Sequence, residues 1–426
     1  MSLCSTPTVL TRRQLLALGG SAAVASLLGT RAWGDDPAAV DAAFRWDRSL
    51  VVIELRGGND ALNMVIPYAD DAYPRLRPTI HLPGDQLLAL DDAFAFHPGM
   101  AALKDSWQSG DLGIAHGLGY DHPNRSHFRG IDIWNSASRA DETLSDGWVA
   151  RILAKVPDAP PHRLADGIIL GFGSTVAYGG FGPLYGQMLR TIIMDSPAQY
   201  IAEASALHAG NGAAHASSPA SLSSAATNPA LAHILKVERD ITHSGARMAA
   251  LINATPPPAA PFPATPFGTS LKHVAHLISA GATVPFYKIT LDGFDTHANQ
   301  RERQDALLTE LSQGLAAFRA ALIAAMAWNR TLVMTYSEFG RRVAENGSAG
   351  TDHGTAAAHL LLGGLVKGGH LTTPPSLRHL DDGDLIATTD FKTLYATCAA
   401  EWWGWPEAFV SDGVLPGLGC IKKLPH

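Results

Sequence analysis

The chain has 426 residues, of which 46% are hydrophobic and 17% are charged, and its formal net charge at pH 7 is -7. This apolar content is sufficient for a large core, whereas the negative charge and the absence of a Lys/Arg run argue against nucleic acid as the main partner. Because no clear composition boundary divides the chain, we expect one large α/β domain over residues 48–426, with an insertion.

Residues 1–34 have the pattern of a removable export signal. Arg12 and Arg13 stand just before a weakly hydrophobic Ala/Leu/Gly run, which resembles a twin-arginine signal, and Gly34 ends a small-residue cleavage sequence. An uncleaved membrane anchor is the alternative, but the apolar run of about 14 residues is shorter than the roughly 20 that span a bilayer. We therefore expect a periplasmic or secreted protein that meets the twin-arginine translocase during export and keeps no stable membrane span after cleavage.

The first element predicted after the signal is a strand over residues 50–55, whose nearly continuous apolar sequence is typical of a strand buried on both faces of a parallel sheet. The turn at residues 56–60 contains two glycines and allows the backbone to approach a ligand closely. Asp60 therefore lies at a strand end, where it would serve either as a ligand or as the cap of the next segment.

A second strand, residues 112–115, is predicted to lead into the polar segment 116–128. Ser126 stands where a helix through Trp134 would begin, and the N-terminus of a helix favours an anion or a developing alkoxide. The alternative is that Ser126 only caps this helix, as serine commonly does.

The segment from about residue 186 to 266 differs in composition from its surroundings. It combines helix-like stretches with Ala/Ser/Gly-rich sequence and ends in a proline-rich return. We interpret it as a helical insertion with a flexible surface loop, and we expect no chemistry there.

Two further strands, residues 285–291 and 331–336, are separated by a long amphipathic helix, which is the βαβ order of a parallel sheet. A last apolar run, residues 359–362, is also predicted to be a strand. Acidic and histidine residues stand beside these strands, and a parallel sheet would collect them along one edge. They are Asp295, His297, Glu338, Asp352 and His353.

A mixture of carboxylates and imidazoles at one sheet edge suits zinc, manganese or iron, and an oxygen-rich variant would suit calcium or magnesium. The sequence therefore predicts a divalent metal cofactor, zinc or manganese in the first place, with calcium as an alternative. Cys398 and Cys420 lack the close His or Cys neighbours of a zinc site. They would either pair in an oxidising compartment or remain buried thiols.

Five short motifs, in the order RGGND, RSHF, DGFDTHANQ, SEFGRR and GTDHG, are spread over most of the mature chain. Behind a twin-arginine signal, this set resembles the bacterial family catalogued as domain of unknown function 1501, which is similar to the alkaline phosphatase and sulfatase superfamily. The resemblance implies an alkaline-phosphatase-like three-layer sandwich with a largely parallel central sheet and a helical insertion. It would make the metal ligands Asp60, Asp295, His297, Glu338, Asp352 and His353.

The same resemblance would make Ser126, in the RSHF motif, the nucleophile. If the site is intact, Arg125 beside it would hold a substrate oxygen by paired hydrogen bonds, and His127 would serve as an acid to the leaving group. A surface salt bridge is the alternative for Arg125, and a packed core histidine for His127. The chain departs from the superfamily in having Ser337 and Glu338 where Asp-His is common. It also lacks the Cys/Ser-x-Pro-x-Arg signature, so we do not expect a formylglycine sulfatase.

Three functions remain open from the sequence. The first is an exported metal-dependent hydrolase of phosphate or sulfate esters that acts on a small-molecule or polymer substrate. The second is a non-catalytic binding or assembly protein of the cell envelope that keeps the superfamily fold. The third is a redox protein, because many twin-arginine substrates carry redox cofactors. The chain has no GxGxxG motif and no closely spaced pair of cysteines to support this interpretation.

Overall fold

A computed structural model describes residues 44–157, 159–171, 181–187, 189–214, 228–405 and 415–423. The predicted export signal, residues 1–34, lies outside the described residues. The strands, in chain order, are β1 Ser49–Arg56, β2 Val65–Ile66, β3 Leu88–Ala89, β4 Ala95–Phe96, β5 Leu112–Gly119, β6 Gly167–Leu170, β7 Thr191–Met194, β8 Phe286–Asp292, β9 Thr331–Tyr336, β10 Ala357–Leu362, β11 Gly369–His370, β12 Leu380–Asp381, β13 Asp384–Leu385 and β14 Thr389–Asp390. The helices are α1 Ala61–Met64, α2 Ala72–Leu76, α3 Lys104–Gln108, α4 His127–Ser136, α5 Trp148–Leu153, α6 Pro197–Ala214, α7 Pro229–Ala254, α8 Pro266–Ser279, α9 Gln300–Ala324 and α10 Lys392–Ala396.

The central sheet has the strand order β11-β5-β10-β9-β1-β8-β6-β7, and β14 also pairs with β5. Strand β10 runs antiparallel to both of its neighbours, whereas the other pairings in this sheet are parallel. The predicted α/β class with a largely parallel central sheet is therefore confirmed. The apolar run at residues 359–362 does form a strand, but this strand runs against the direction of its neighbours.

Helices cover both faces of this sheet. Val51 and Ile53 of β1 belong to a core that includes residues of α8 and α9. Leu50 and Val52 belong to a second core, which includes Trp148 and residues of α4, α5 and α10. Since successive side chains of a strand point to opposite faces, β1 separates the two cores. The expected three-layer arrangement follows from this packing.

Strands β6 and β7 were not predicted from the sequence. Strand β7 lies within the segment interpreted as a helical insertion, yet it pairs in parallel with β6 at the edge of the central sheet. The helical part of that segment begins at α6 and continues with α7. The described part of the segment is therefore a sheet strand followed by helices.

Helix α9 is the long amphipathic helix predicted between two strands of the sheet. Within the described residues, α9 alone has the length and apolar composition to cross a bilayer, but half of its most apolar stretch is buried inside the fold. Leu308, Leu315 and Phe318 contribute that buried side to the core. The apolar residues of α9 are thus explained by its packing on the sheet.

Cys398 and Cys420 are both buried and free. Burial raises the pKa of the Cys420 thiol to about 12 and that of Cys398 well above its usual range. Of the two alternatives left open by the sequence, the structure has the buried thiols.

Candidate metal centre

The carboxyl ends of β1, β5, β8 and β9 lie at one edge of the central sheet, because these four strands point in the same direction. Strand β10 points the opposite way, so the loop before it reaches the same edge. This loop carries Asp352 and His353, whereas Asp295 and His297 follow β8. The sheet thereby brings together two segments that are far apart in sequence, at the position where open α/β sheets bind ligands.

Asp295 is at the centre of the cluster. Its Oδ1 lies 3.1 Å from Nε2 of His297 and 3.1 Å from Nε2 of His353. Its Oδ2 lies 3.6 Å from Nε2 of His127. Burial alone would raise the pKa of Asp295, but the hydrogen bond from Arg341, the contact with His353 and nearby positive charge lower it to about 2. The side chain is therefore an ionised carboxylate at neutral pH.

The Nδ1 atom of each of these three imidazoles contacts an oxygen that can only accept a hydrogen bond. His127 Nδ1 lies 2.7 Å from Oε1 of Glu338, and His297 Nδ1 lies 3.2 Å from Oδ1 of Asp352. His353 Nδ1 lies 2.9 Å from the backbone carbonyl oxygen of Arg125. When such a ring is neutral and its proton is on Nδ1, the oxygen receives a hydrogen bond and the Nε2 lone pair points at Asp295.

These lone pairs create an electron-rich centre. Nε2 of His297 and Nε2 of His353 are 3.0 Å apart, and in these tautomers neither carries a proton to share with the other. One ligand atom from each of His127, Asp295 and His353 lies within 4.8 Å of the other two. A cation between these atoms would relieve the repulsion, and two imidazoles with a carboxylate are common ligands of zinc.

The two outer histidines differ in their tendency to bind a proton. The hydrogen bond to Glu338 raises the pKa of His127. Burial lowers the pKa of His353. His353 is therefore the ring that more readily offers its Nε2 lone pair to a metal at neutral pH.

Glu338, predicted as a ligand after β9, contacts the ring of His127. Its side chain is fully buried, and Oε1 also accepts a hydrogen bond from the backbone N–H of Gly57 at 2.9 Å. Gly57 has a φ of +116°, and a Cβ there would lie 2.3 Å from the backbone nitrogen of Asp295. A glycine is required at this position because the loops after β1 and β8 touch here.

Arg341 holds the surrounding loops together. Its buried guanidinium donates to the carbonyl oxygens of Gly58 and Phe294 from the loops after β1 and β8, and to that of Thr351. It also donates to Oδ1 of Asp295 at 2.7 Å. The planar, multiply donating head of arginine suits such a junction. Arg341 therefore both positions Asp295 and offsets its charge.

Asp60, predicted as a ligand at the end of β1, pairs with a buried arginine in the structure. Both of its carboxylate oxygens contact the guanidinium of Arg77, and the two side chains are almost completely buried. Oδ1 also caps helix α1 by accepting from the N–H of Leu62, and Oδ2 accepts from the amide of Gln300. Of the two roles considered from the sequence, the structure has the capping role, supplemented by a buried ion pair.

Ser126 and Arg125 lie next to the cluster. Ser126 is exposed, occupies the N-cap position of α4 and makes no side-chain capping hydrogen bond. The guanidinium of Arg125 pairs with the buried carboxylate of Asp384, which matches the salt-bridge alternative. The contact of Arg125 with the cluster is made by its backbone carbonyl oxygen, which accepts from His353.

Two features of the site were missed by sequence reasoning. The sequence predicts His127, in the RSHF motif, as an acid to the leaving group, whereas the structure brings its ring into the candidate ligand group. Arg341, in the motif SEFGRR, has no predicted role. Its role depends on three loops that meet only in the folded chain, so no local pattern indicates it.

The molecule thus belongs to the class of α/β proteins that carry a His/Asp cluster at the carboxyl edge of a largely parallel sheet. A family model described as "Protein of unknown function (DUF1501)" matches residues 209–374. The matched part of the chain includes Asp295, His297 and His353, but it does not include Ser126 or His127. No curated protein matches the sequence.

Several solved structures are similar to the chain. The lipoteichoic acid synthase LtaP from Listeria monocytogenes has a TM-score of 0.36 and 8% identity, with 81% of this chain and 75% of that chain covered. A protein in the alkaline phosphatase superfamily from Vibrio parahaemolyticus has a TM-score of 0.34 and 11% identity, covering 79% and 66%. The C-terminal periplasmic domain of EcEptC from Escherichia coli has a TM-score of 0.35 and 9% identity, covering 84% and 82%.

Proposed function

We propose that the protein is a metal-dependent hydrolase of phosphate or sulfate esters, with one divalent ion held by His127, Asp295 and His353 and with His297 beside it. The observation that carries this proposal is the meeting of the Nε2 atoms at Asp295 while each Nδ1 is held by an oxygen acceptor. Metal-binding histidines commonly have this arrangement. Imidazoles with a single carboxylate suit zinc or manganese better than calcium, which prefers oxygen ligands.

A divalent ion in this position would lower the pKa of a bound water or serine hydroxyl and stabilise negative charge on an ester oxygen. Glu338 would hold His127 in the orientation that presents Nε2, and Arg341 would keep Asp295 ionised. Ser126 directly precedes His127 and has an exposed hydroxyl, which supports its proposed role as the nucleophile. The side chain of Arg125 is 39% exposed beside these groups and would attract an anionic ester.

The ester class rests on the resemblance of the sequence motifs to the uncharacterised family and, through it, to phosphatases and sulfatases. The pattern of residues 1–34 supports export by the twin-arginine route, which carries folded proteins and therefore suits a protein that binds its metal before export. We accordingly propose a periplasmic or secreted site of action.

Activity of the mature chain, started at Asp35, tests this proposal. We expect the protein loaded with zinc or manganese to hydrolyse p-nitrophenyl phosphate or p-nitrophenyl sulfate. Ser126→Ala and Asp295→Asn should each lower kcat/KM by more than about 100-fold. Ser109→Ala, which changes an exposed serine in the turn after α3, is the matched control and should leave the rate unchanged.

The two variants separate the parts of the proposal. If Asp295→Asn is inactive while Ser126→Ala keeps its rate, Ser126 is not the nucleophile and a water takes that role. If the metal-loaded protein hydrolyses neither ester, the hydrolase proposal is contradicted, and a binding or assembly role in the cell envelope becomes the better account.

A further inference from the structure

A cavity of about 360 Å³ lies beside β5 and β10. Its walls are largely apolar and include Leu62, Val65 and Phe94. Within the described residues, its lining contains none of the candidate metal ligands. A cavity of this size and polarity is typical of a small-molecule site.

A buried histidine of β5 reaches this cavity. His116 is 3% exposed, and its Nε2 lies 2.7 Å from Nδ1 of His370 on the adjacent strand β11. Nε2 of His370 lies 2.9 Å from Oδ2 of Asp91. The ring of Phe94 packs against both imidazoles, with centroid distances of 5.0 and 5.1 Å. The three polar groups therefore form a chain that is shielded by an aromatic ring.

The direction of the hydrogen bonds in this chain follows from its carboxylate end. Asp91 can only accept, so His370 carries a proton on Nε2 and, when the ring is neutral, its Nδ1 has a lone pair. His116 must then donate from its Nε2, and its own Nδ1 has a lone pair. Within the described residues, no hydrogen bond is made by this Nδ1. This atom is accessible rather than fully enclosed, so a molecule in the cavity can donate to it.

The charged groups near the cavity indicate which kind of partner fits. Asp70 and Arg378 are part of its wall, and Arg378 pairs with both Asp70 and Asp71. Together with Asp91 behind the histidines, carboxylates outnumber the single arginine. An anionic ligand would therefore be repelled, whereas a neutral ligand that donates a hydrogen bond would satisfy His116.

We infer that this cavity binds a small apolar molecule that carries a hydrogen-bond donor, such as an alcohol, and that Nδ1 of His116 accepts that hydrogen bond. This site is separate from the candidate metal centre and does not depend on it. A purely structural role of the chain, in which His116 and His370 only join β5 to β11, predicts no preference among ligands of the same shape.

Three probes of similar size test the inference on the full mature chain: benzyl alcohol, toluene and benzoate. At pH 8.5, above the usual histidine pKa of about 6.5, dissociation constants can be measured by ligand-observed NMR. We expect benzyl alcohol to bind at least about 5-fold more tightly than toluene and benzoate, because it alone offers a donor to His116. His116→Phe should remove the difference between the alcohol and toluene, whereas His379→Phe, at an exposed site outside the cavity, should not.

A second pair of variants keeps the test decisive if His116→Phe does not fold. Ala69 is exposed at the cavity wall, so Ala69→Trp should block all three probes, while Ala320→Trp on the exposed side of α9 should block none. Equal binding of alcohol and toluene, tighter binding of benzoate, or the absence of binding by any probe would each overturn the inference. A preference for the alcohol that survives in His116→Phe would overturn the role of His116.

Discussion

At the scale of single residues, Glu338 controls which nitrogen of His127 is available. A carboxylate that accepts from Nδ1 fixes the tautomer and orients the ring. The backbone N–H of Gly57 holds the same Oε1, so the carboxylate cannot easily turn away. Glu338 therefore acts as a positioning residue for a histidine that has Asp295 as its other neighbour.

Replacing Glu338 by Gln is expected to weaken metal binding while the fold is retained. The amide keeps an oxygen for Gly57 or His127 but loses the negative charge that makes Nε2 a better ligand. We expect the affinity for zinc to fall by about 10- to 100-fold, as is usual for such partners. Competition with a chromophoric chelator measures this affinity. Glu302→Gln, at an exposed position of α9, should match the unmodified chain, and an equal affinity in Glu338→Gln would refute the positioning role.

The sequence was informative about some site residues and not about others, for a physical reason. Asp295, His297, Asp352 and His353 were predicted to meet because they stand beside strands, and the structure brings them together. The environment of Asp60 could not be predicted, since its partners Arg77 and Gln300 come from other elements. Position at a strand end indicates where a side chain is, but not which neighbour takes up its charge.

At the scale of elements, a buried charge cluster joins β1 to β8. Glu54 lies 2.8 Å from Nζ of Lys288 and 2.9 Å from the guanidinium of Arg56, and all three side chains are nearly inaccessible. Burial alone would raise the pKa of Glu54, but the two positive charges lower it to about 2. A pKa below that of the unfolded chain means that the ionised carboxylate stabilises the fold above about pH 4.3, and that this stability is lost as the pH falls toward 2.

We therefore expect the free energy of unfolding to decrease between about pH 4.5 and pH 2, and to decrease less steeply in Glu54→Gln. At pH 7 this variant should be destabilised by about 3–5 kcal/mol, because Lys288 and Arg56 remain buried without their carboxylate. Urea unfolding at several pH values measures both effects. Glu203→Gln, at an exposed position of α6, should change neither. A Glu54→Gln chain as stable as the original would contradict the account of this cluster.

The elements that were predicted correctly share a strong local signal. Strands β1, β8 and β9 are buried runs with apolar and β-branched residues, and α9 has a long helical repeat. Strands β6 and β7 have only four residues each and lie beside helical or loop-like sequence. The periodicity of apolar residues is therefore too short to distinguish these strands from their surroundings. The reversed direction of β10 depends on how it pairs with β5 and β9, which its own six residues do not encode.

At the scale of the whole molecule, the sheet separates two cores and leaves one edge for chemistry. The strands that point toward this edge are largely buried, and the loops that follow them carry polar side chains. Such an arrangement allows the ligand groups to be held by a stable scaffold while they remain accessible. Strand β10 runs in the opposite direction, so the loop that precedes it reaches the same edge. This loop supplies His353, and no further crossover connection is needed.

The measurement that most directly tests the account is the metal content of the mature chain, purified without chelators and without a histidine tag. Elemental analysis should find about one zinc or manganese ion per chain, which should be lost in Asp295→Asn and in His353→Ala. The ion should be retained in Asp105→Asn and in His379→Ala, which change exposed residues outside the cluster. A native chain without metal, or an ion that persists when Asp295 and His353 are replaced, would contradict the metal centre.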